Sequence, residues 1–264
     1  MKTIIFTDLD GTFLNHDNYS YQDSLKAVSK VLDENIPLIF TTSKTKIEVE
    51  MLQKRLKIKE PFIIENGAAI FFPKDYKNLD FSFLDEYENY FIYQLGLPYK
   101  KILEFYNKYK KEYEMVGFSD MNNWELMKYT RLESSFIRLA KLRNFTEPFI
   151  LNDSSRLKEL ETRAFDYGIK ITKGGRFYHL IGIDQDKGKA VEQAIEIFKK
   201  VYKDKIKSIA LGDGQNDIPM LENVDVPIII KNHKGEYLNS QIKNIQKSTY
   251  KGSTGWGEMV LKNV

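Results

Sequence analysis

The chain has 264 residues, 42% hydrophobic and 29% charged, with a net charge of +3 and no cysteine. That length and composition suit one large or two modest globular domains, and the lack of cysteine excludes disulfides, thiolate metal sites and thiol catalysis. The slight charge gives no argument for nucleic acid, no apolar run reaches the roughly 18 residues of a membrane span, and the short apolar start has no export cleavage site, so the expectation is a cytoplasmic protein without nucleic-acid or membrane partners.

In chain order, residues 3–9 (TIIFTDL), 37–43 (PLIFTTS) and 61–66 (PFIIEN) are nearly continuous apolar runs. Such runs predict strands covered on both faces, as in parallel sheets. Between the first two, Leu25, Val28, Val31 and Leu32 recur at helical spacing. Between the second and third, Ile47, Met51, Leu52 and Leu56 do the same. This βαβαβ pattern, with right-handed crossovers, predicts half of a doubly wound α/β sheet. Residues 71–93 are rich in Phe and Tyr without a clear period and read as a linker and interface. From about 98 to 183 the pattern is of helices and separate strands. It ends in a hairpin whose two-residue turn is expected at Gly174-Gly175. This is the signature of an α+β insert. The first pattern then returns, with a helix carrying Ala190, Val191, Ala194, Ile195 and Phe198, and strands at 206–212 and 226–230. The expected division is a core of 1–80 and 184–264 split by an insert of 81–183.

Ligands of α/β sheets bind at the carboxyl ends of strands. Four such ends carry polar residues: Asp8-Leu9-Asp10, Thr41-Thr42-Ser43-Lys44, Glu65-Asn66-Gly67 and Gly212-Asp213-Gly214-Gln215-Asn216-Asp217. Asp8, Asp10, Asp213 and Asp217 converging on one site would repel one another, and a hard cation relieves the repulsion. Oxygen ligands without His or Cys favour Mg²⁺ over zinc. Lys187 opens the returning helix and adds a second positive charge. Carboxylate, Mg²⁺ and lysine together suit phosphoryl transfer, with Asp8 as nucleophile and Asp10 handling the proton.

These four motifs, in this order, resemble the signature of the haloacid dehalogenase superfamily. The resemblance implies that Asp8 is the nucleophile and that Asp10 is the acid/base, giving its backbone carbonyl to Mg²⁺. It also implies that Asp213 completes the metal site, with Asp217 behind it. The insert's position resembles the caps of the Cof-like branch. Within it, TSKT (42–45), ENGAAIF (65–71), RNFTEPF (143–149), GGRFYHLIG (174–182) and DKGKA (186–190) resemble the family of mannosyl-3-phosphoglycerate phosphatases. The likeness runs to roughly residue 230, and Thr146 stands where Ser is more usual. It implies hydrolysis of a phosphorylated sugar-glycerate. Thr42, Ser43, Lys44, Asn66 and Asn216 would surround the phosphate. Arg143, Glu147, Gly175 and Arg176 of the insert would meet the rest. Strand alternation is expected to put Arg176 and His179 on opposite faces, with Arg176 toward the ligand, as guanidinium matches carboxylate. His16 and His233 read as surface residues. The motifs also leave open a phosphatase for another sugar phosphate, including the glucosyl analogue, a phosphohexomutase, and an idle binding module. The oligomeric state stays undetermined.

Overall fold

A computed structural model describes every residue except Arg131, Glu133 and Gly175, and every side chain except theirs and those of Ser134 and Ser135. The first half of the larger sheet follows the expected alternation: β1 (Lys2–Thr7), α1 (Leu25–Asp33), β2 (Leu38–Thr41), α2 (Lys46–Leu56) and β3 (Phe62–Ile64). Three antiparallel strands follow, β4 (Ala69–Pro73), β5 (Asp85–Tyr87) and β6 (Tyr90–Gln94). The insert then holds α3 (Tyr99–Tyr109), β7 (Met115–Gly117), α4 (Asn123–Thr130), α5 (Ser134–Ala140), β8 (Glu147–Leu151), α6 (Leu157–Phe165), β9 (Ile169–Gly174) and β10 (Phe177–Gly182). Last come α7 (Lys187–Tyr202), β11 (Ile206–Gly212), α8 (Ile218–Glu222), β12 (Val226–Lys231), β13 (Gln246–Lys251) and α9 (Gly252–Asn263). No helix among the described residues is long and apolar enough to cross a membrane.

The nine-stranded sheet has the order β13-β12-β11-β1-β2-β3-β4-β6-β5. It is parallel from β13 to β3 and antiparallel beyond. Alternation along β1 sends Ile5 to a core shared with α1, α2 and α9, and sends Ile4 and Phe6 to the core under α7. Both faces are covered, which is why the parallel strands read as unbroken apolar runs. The segment 71–93 is a correction: it holds strands of this sheet, not a linker. Its aromatic residues stack across strand pairs, as Phe62 does on Phe71 at 5.2 Å between ring centroids. The change of sheet therefore falls after Gln94, past the expected boundary at 81. The helix faces also shift. In α2 the buried positions are Glu48, Val49, Leu52 and Gln53, with Met51 only partly covered, and Leu25 of α1 is exposed.

The insert forms a four-stranded antiparallel sheet, β7-β8-β10-β9. One of its faces packs on α3 and α6 through Phe149 and Leu180, and the other packs in part through Phe177 and Phe118 on α4 and α5. Since Gly174 already pairs with Phe177, the hairpin connection is at 175–176, one residue later than expected; Gly175 itself lies outside the described residues. Arg176 thus belongs to a turn rather than to a strand.

Candidate active site

Asp8 follows the last residue of β1, where its N–H donates to Leu211 O at 2.9 Å. Lys187, at the first turn of α7, puts its Nζ 2.5 Å from Asp8 Oδ1 and 2.7 Å from Asp217 Oδ1. All three side chains are nearly or wholly buried. Burial works against the Lys187 ammonium, yet Asp217 and Asp8 outweigh it and hold the group above its ordinary range. Burial first, and Asp217 second, push the Asp8 carboxyl up to about 7, with Lys187 pulling the other way.

Asp217 is fully engaged. Its Oδ1 accepts from Lys187, and its Oδ2 accepts from the N–H groups of Asp213 and Gly214 at 3.0 and 2.9 Å. Asp213 accepts from Thr12 Oγ1 at 2.8 Å. Its carboxyl is held well above the usual range by burial, then by Asp8 and Asp217. Gly11 makes room for it: a Cβ there would lie 2.5 Å from Asp213 Oδ2, and the backbone has a φ of +94°.

The residues fit a divalent cation. Asp8, Asp213 and Asp217 each bring an oxygen within 4.8 Å of the others. One lysine faces this group, leaving uncompensated negative charge in a dry place. The donors are all oxygen, as hard cations require. With Asp217 occupied, Asp8 and Asp213 are the side chains open to a metal. Asp10 pairs through Oδ2 with Lys44 Nζ at 2.8 Å, while its buried Oδ1 has no partner among the described residues.

The cavity above these groups measures about 280 Å³ and lies between the two sheets. Asp8, Asp10, Asp213, Asn216, Ser43 and Lys44 line its lower side. Thr42 and Asn66 are buried behind that lining. Thr42 Oγ1 accepts from Lys44 N at 3.2 Å, and Asn66 Oδ1 accepts from Asn216 Nδ2 at 3.0 Å. The charge of Lys44 is already answered by Asp10, with Glu48 4.0 Å away.

From the insert, Arg143 lines the cavity but is itself a tie between the two parts of the chain. Its guanidinium donates to Ser43 O at 3.0 Å, to Thr146 Oγ1 at 2.8 Å and to Ala140 O at 3.1 Å. It lies 3.8 Å from Glu65, whose buried carboxylate accepts from Asn144 N, Phe145 N and Thr146 Oγ1. Burial raises the Glu65 carboxyl, and Arg143 with these donors holds it back.

Glu147 is a correction. It is fully buried, binds Tyr99 OH and Ser119, and is absent from the cavity lining. Its register partner Leu180 belongs to the α3–α6 core, so alternation turns Glu147 away from the ligand space. Alternation also misled the choice between Arg176 and His179. Both line the cavity, because Arg176 sits in the turn and escapes the strand's period. Arg176 donates to the carbonyls of Tyr129 and Thr130 and meets His16 Nε2 at 3.0 Å. His16 stacks on His233 at 4.0 Å, and both stand at the cavity rather than on remote surface. Tyr19, which spans from Lys44 to Thr130 O at 2.8 Å, carried no sequence signal. Trp256 likewise escaped notice: it is fully buried in α9 and donates to Thr7 Oγ1 at 2.9 Å, next to Asp8.

A parallel sheet with an inserted antiparallel one, and an aspartate-lysine centre at the strand ends between them, define a class of hydrolase. The chain belongs to the haloacid dehalogenase-like hydrolase family, whose model matches residues 5–253. Among particular relatives, it is 47% identical to the glucosyl-3-phosphoglycerate/mannosyl-3-phosphoglycerate phosphatase of Persephonella marina, over 98% of this chain and 96% of the relative. The phosphatase of the same description from Methanococcoides burtonii is 39% identical over 99% and 97% of the two chains. A solved structure from Thermoplasma acidophilum aligns with a TM-score of 0.71 over 99% of this chain and 98% of its own. At 17% identity that likeness concerns the fold.

Proposed function

We propose that this chain is a phosphoric monoester hydrolase acting on mannosyl-3-phosphoglycerate, and on its glucosyl analogue, to release phosphate and the sugar-glycerate. The observation that carries the reading is the convergence of Asp8, Asp10 and Asp213 in one cavity, with Lys187 against Asp8. The relatives' full-length similarity supports the substrate.

Asp8 attacks the phosphorus of the bound ester. A bond forms between its carboxylate oxygen and phosphorus, and the bond from phosphorus to the glycerate oxygen breaks. Asp10 gives its proton to that leaving oxygen. It then takes a proton from water, which attacks the aspartyl phosphate, frees Asp8 and forms inorganic phosphate. Lys187 stays charged throughout and offsets the negative charge gathered at Asp8. Mg²⁺ held by Asp8 and Asp213 would supply further charge neutralisation at the phosphoryl oxygens. Residues 95–183 act as the cap that closes over the sugar-glycerate and limits bulk water.

Phosphate release from mannosyl- and glucosyl-3-phosphoglycerate, beside a panel of other sugar phosphates, tests this. Turnover concentrated on the two sugar-glycerates and abolished by Asp8→Asn is the expected result. Comparable turnover of hexose phosphates, or activity surviving Asp8→Asn, would overturn it.

A further inference from the structure

One polar side chain in the cavity has no role in the chemistry above. His179 lies on β10, 4% exposed, opposite Pro148 of β8 and Thr172 of β9. Alternation puts it in one row with Phe177, while Tyr178 and Leu180 turn to the α3–α6 core. Phe177, Pro148 and Phe118 are the apolar cavity residues contributed by the same sheet and the segment after β7. Its Nδ1 is buried and has no hydrogen-bond partner among the described residues. Such a group is costly to leave unpaired, and folded proteins keep few of them. Burial, then the charges of Arg143 and Lys187, push the imidazole down to about 3, so the ring is neutral at physiological pH.

A neutral imidazole nitrogen donates in one tautomer and accepts in the other. A carboxylate or phosphate oxygen only accepts, and two cations nearby already attract it. A hydroxyl donates and accepts, and it satisfies either tautomer. The apolar side chains around the ring suit the C–H face of a saturated ring, and one convergent polar group would fix its orientation. Resting on the phosphatase reading above, we propose that His179 is a specificity residue whose imidazole hydrogen-bonds a hydroxyl of the substrate's sugar.

The test uses the full chain with Asp8→Asn, so that bound ester is not turned over. Calorimetry measures the binding of mannosyl-3-phosphoglycerate, 3-phosphoglycerate and inorganic phosphate, each with His179 intact and with His179→Leu or His179→Asn. The expected result is that His179→Leu weakens mannosyl-3-phosphoglycerate about 30-fold, in keeping with a lost buried hydrogen bond. It leaves 3-phosphoglycerate and phosphate within about twofold, and His179→Asn, which keeps a donor and an acceptor, recovers part of the loss. Equal weakening of all three ligands would overturn the proposal in favour of a phosphate or packing role. Weakening of both glycerate ligands but not of phosphate would overturn it in favour of carboxylate recognition, and no change in any of them would also sink it. If the parent Asp8→Asn protein binds phosphate but no sugar-glycerate phosphate, the phosphatase reading itself fails, and this one with it. A protein that binds all three, but without a sugar-dependent loss on His179→Leu, refutes the His179 role alone.

Discussion

At the scale of single residues, the two arginines expected to meet the substrate do different work. Arg143 has committed its Nε–H and Nη1–H groups to Ala140, Ser43 and Thr146, and it lies beside buried Glu65. Arg143→Ala should therefore loosen the join between cap and core and leave Glu65 poorly compensated. We expect kcat/KM to fall by ~10²-fold, roughly 2.7 kcal/mol, on mannosyl-3-phosphoglycerate and on p-nitrophenyl phosphate alike. Arg176 stands at the cavity, held by two carbonyls of the insert. Arg176→Ala should lower the sugar-glycerate by ~10-fold or more and spare p-nitrophenyl phosphate. Steady-state kinetics on both substrates separates the two patterns. His179 gives a different signal, in stability. Its folded pKa is depressed to about 3, against roughly 6.5 in an unfolded chain. As pH falls below the unfolded value, the unfolded state takes up a proton that the folded state refuses, so stability is lost with falling pH. Between pH 7.5 and pH 5 this contributes about 2 kcal/mol. Urea unfolding at both values should show a smaller acid loss in His179→Asn than in the parent, by about that amount.

At the scale of elements, the C-terminal helix is the piece whose weight was hardest to see. Residues 246–251 are polar, and α9 is rich in glycine, so neither pattern announces a core element. Yet α9 carries a fully buried Trp256 whose ring meets Phe13 edge-on at 4.9 Å between centroids. Its indole N–H fixes Thr7, the residue before Asp8. Trp256→Ala should cost about 3–5 kcal/mol in urea unfolding, as for other buried aromatic truncations. By contrast α2 announces itself: Thr45 and Glu48 form a reciprocal capping box at its start. That cap aims the helix away from Ser43 and Lys44 and leaves those two at the cavity. Periodicity misplaced the buried face of α2 because the insert covers part of it: Thr45 Oγ1 also donates to Leu139 O at 3.1 Å. Contacts of that kind arise between elements far apart in sequence, and no helical period encodes them.

At the scale of the whole molecule, the repulsion among Asp8, Asp213 and Asp217 is a reservoir that a cation can relieve. Mg²⁺ should raise the melting temperature, by a stabilisation of about 2.7 kcal/mol at a concentration 100 times its dissociation constant. EDTA should reverse the shift, and Asp213→Asn should abolish most of it. Differential scanning fluorimetry with and without chelator checks this independently of turnover. The sequence by itself determined the parallel part of the large sheet, because strands buried on both faces must be apolar throughout. It also determined the order of Asp8, Lys187 and Asp213 along the chain and their placement at strand ends or a helix start, because motif residues there adjoin elements of strong period. Only the tertiary structure decided the rest. The aromatic segment 71–93 joined the large sheet, since antiparallel edge pairing depends on which neighbour is free and not on a local pattern. Glu147 turned inward and His179 toward the cavity, since strand alternation has two phases and only packing against α3 and α6 selects one. Arg143 became a tie between the two sheets, since its partners Ser43 and Glu65 lie 100 and 78 residues away in the chain and reach it only when the chain has folded back.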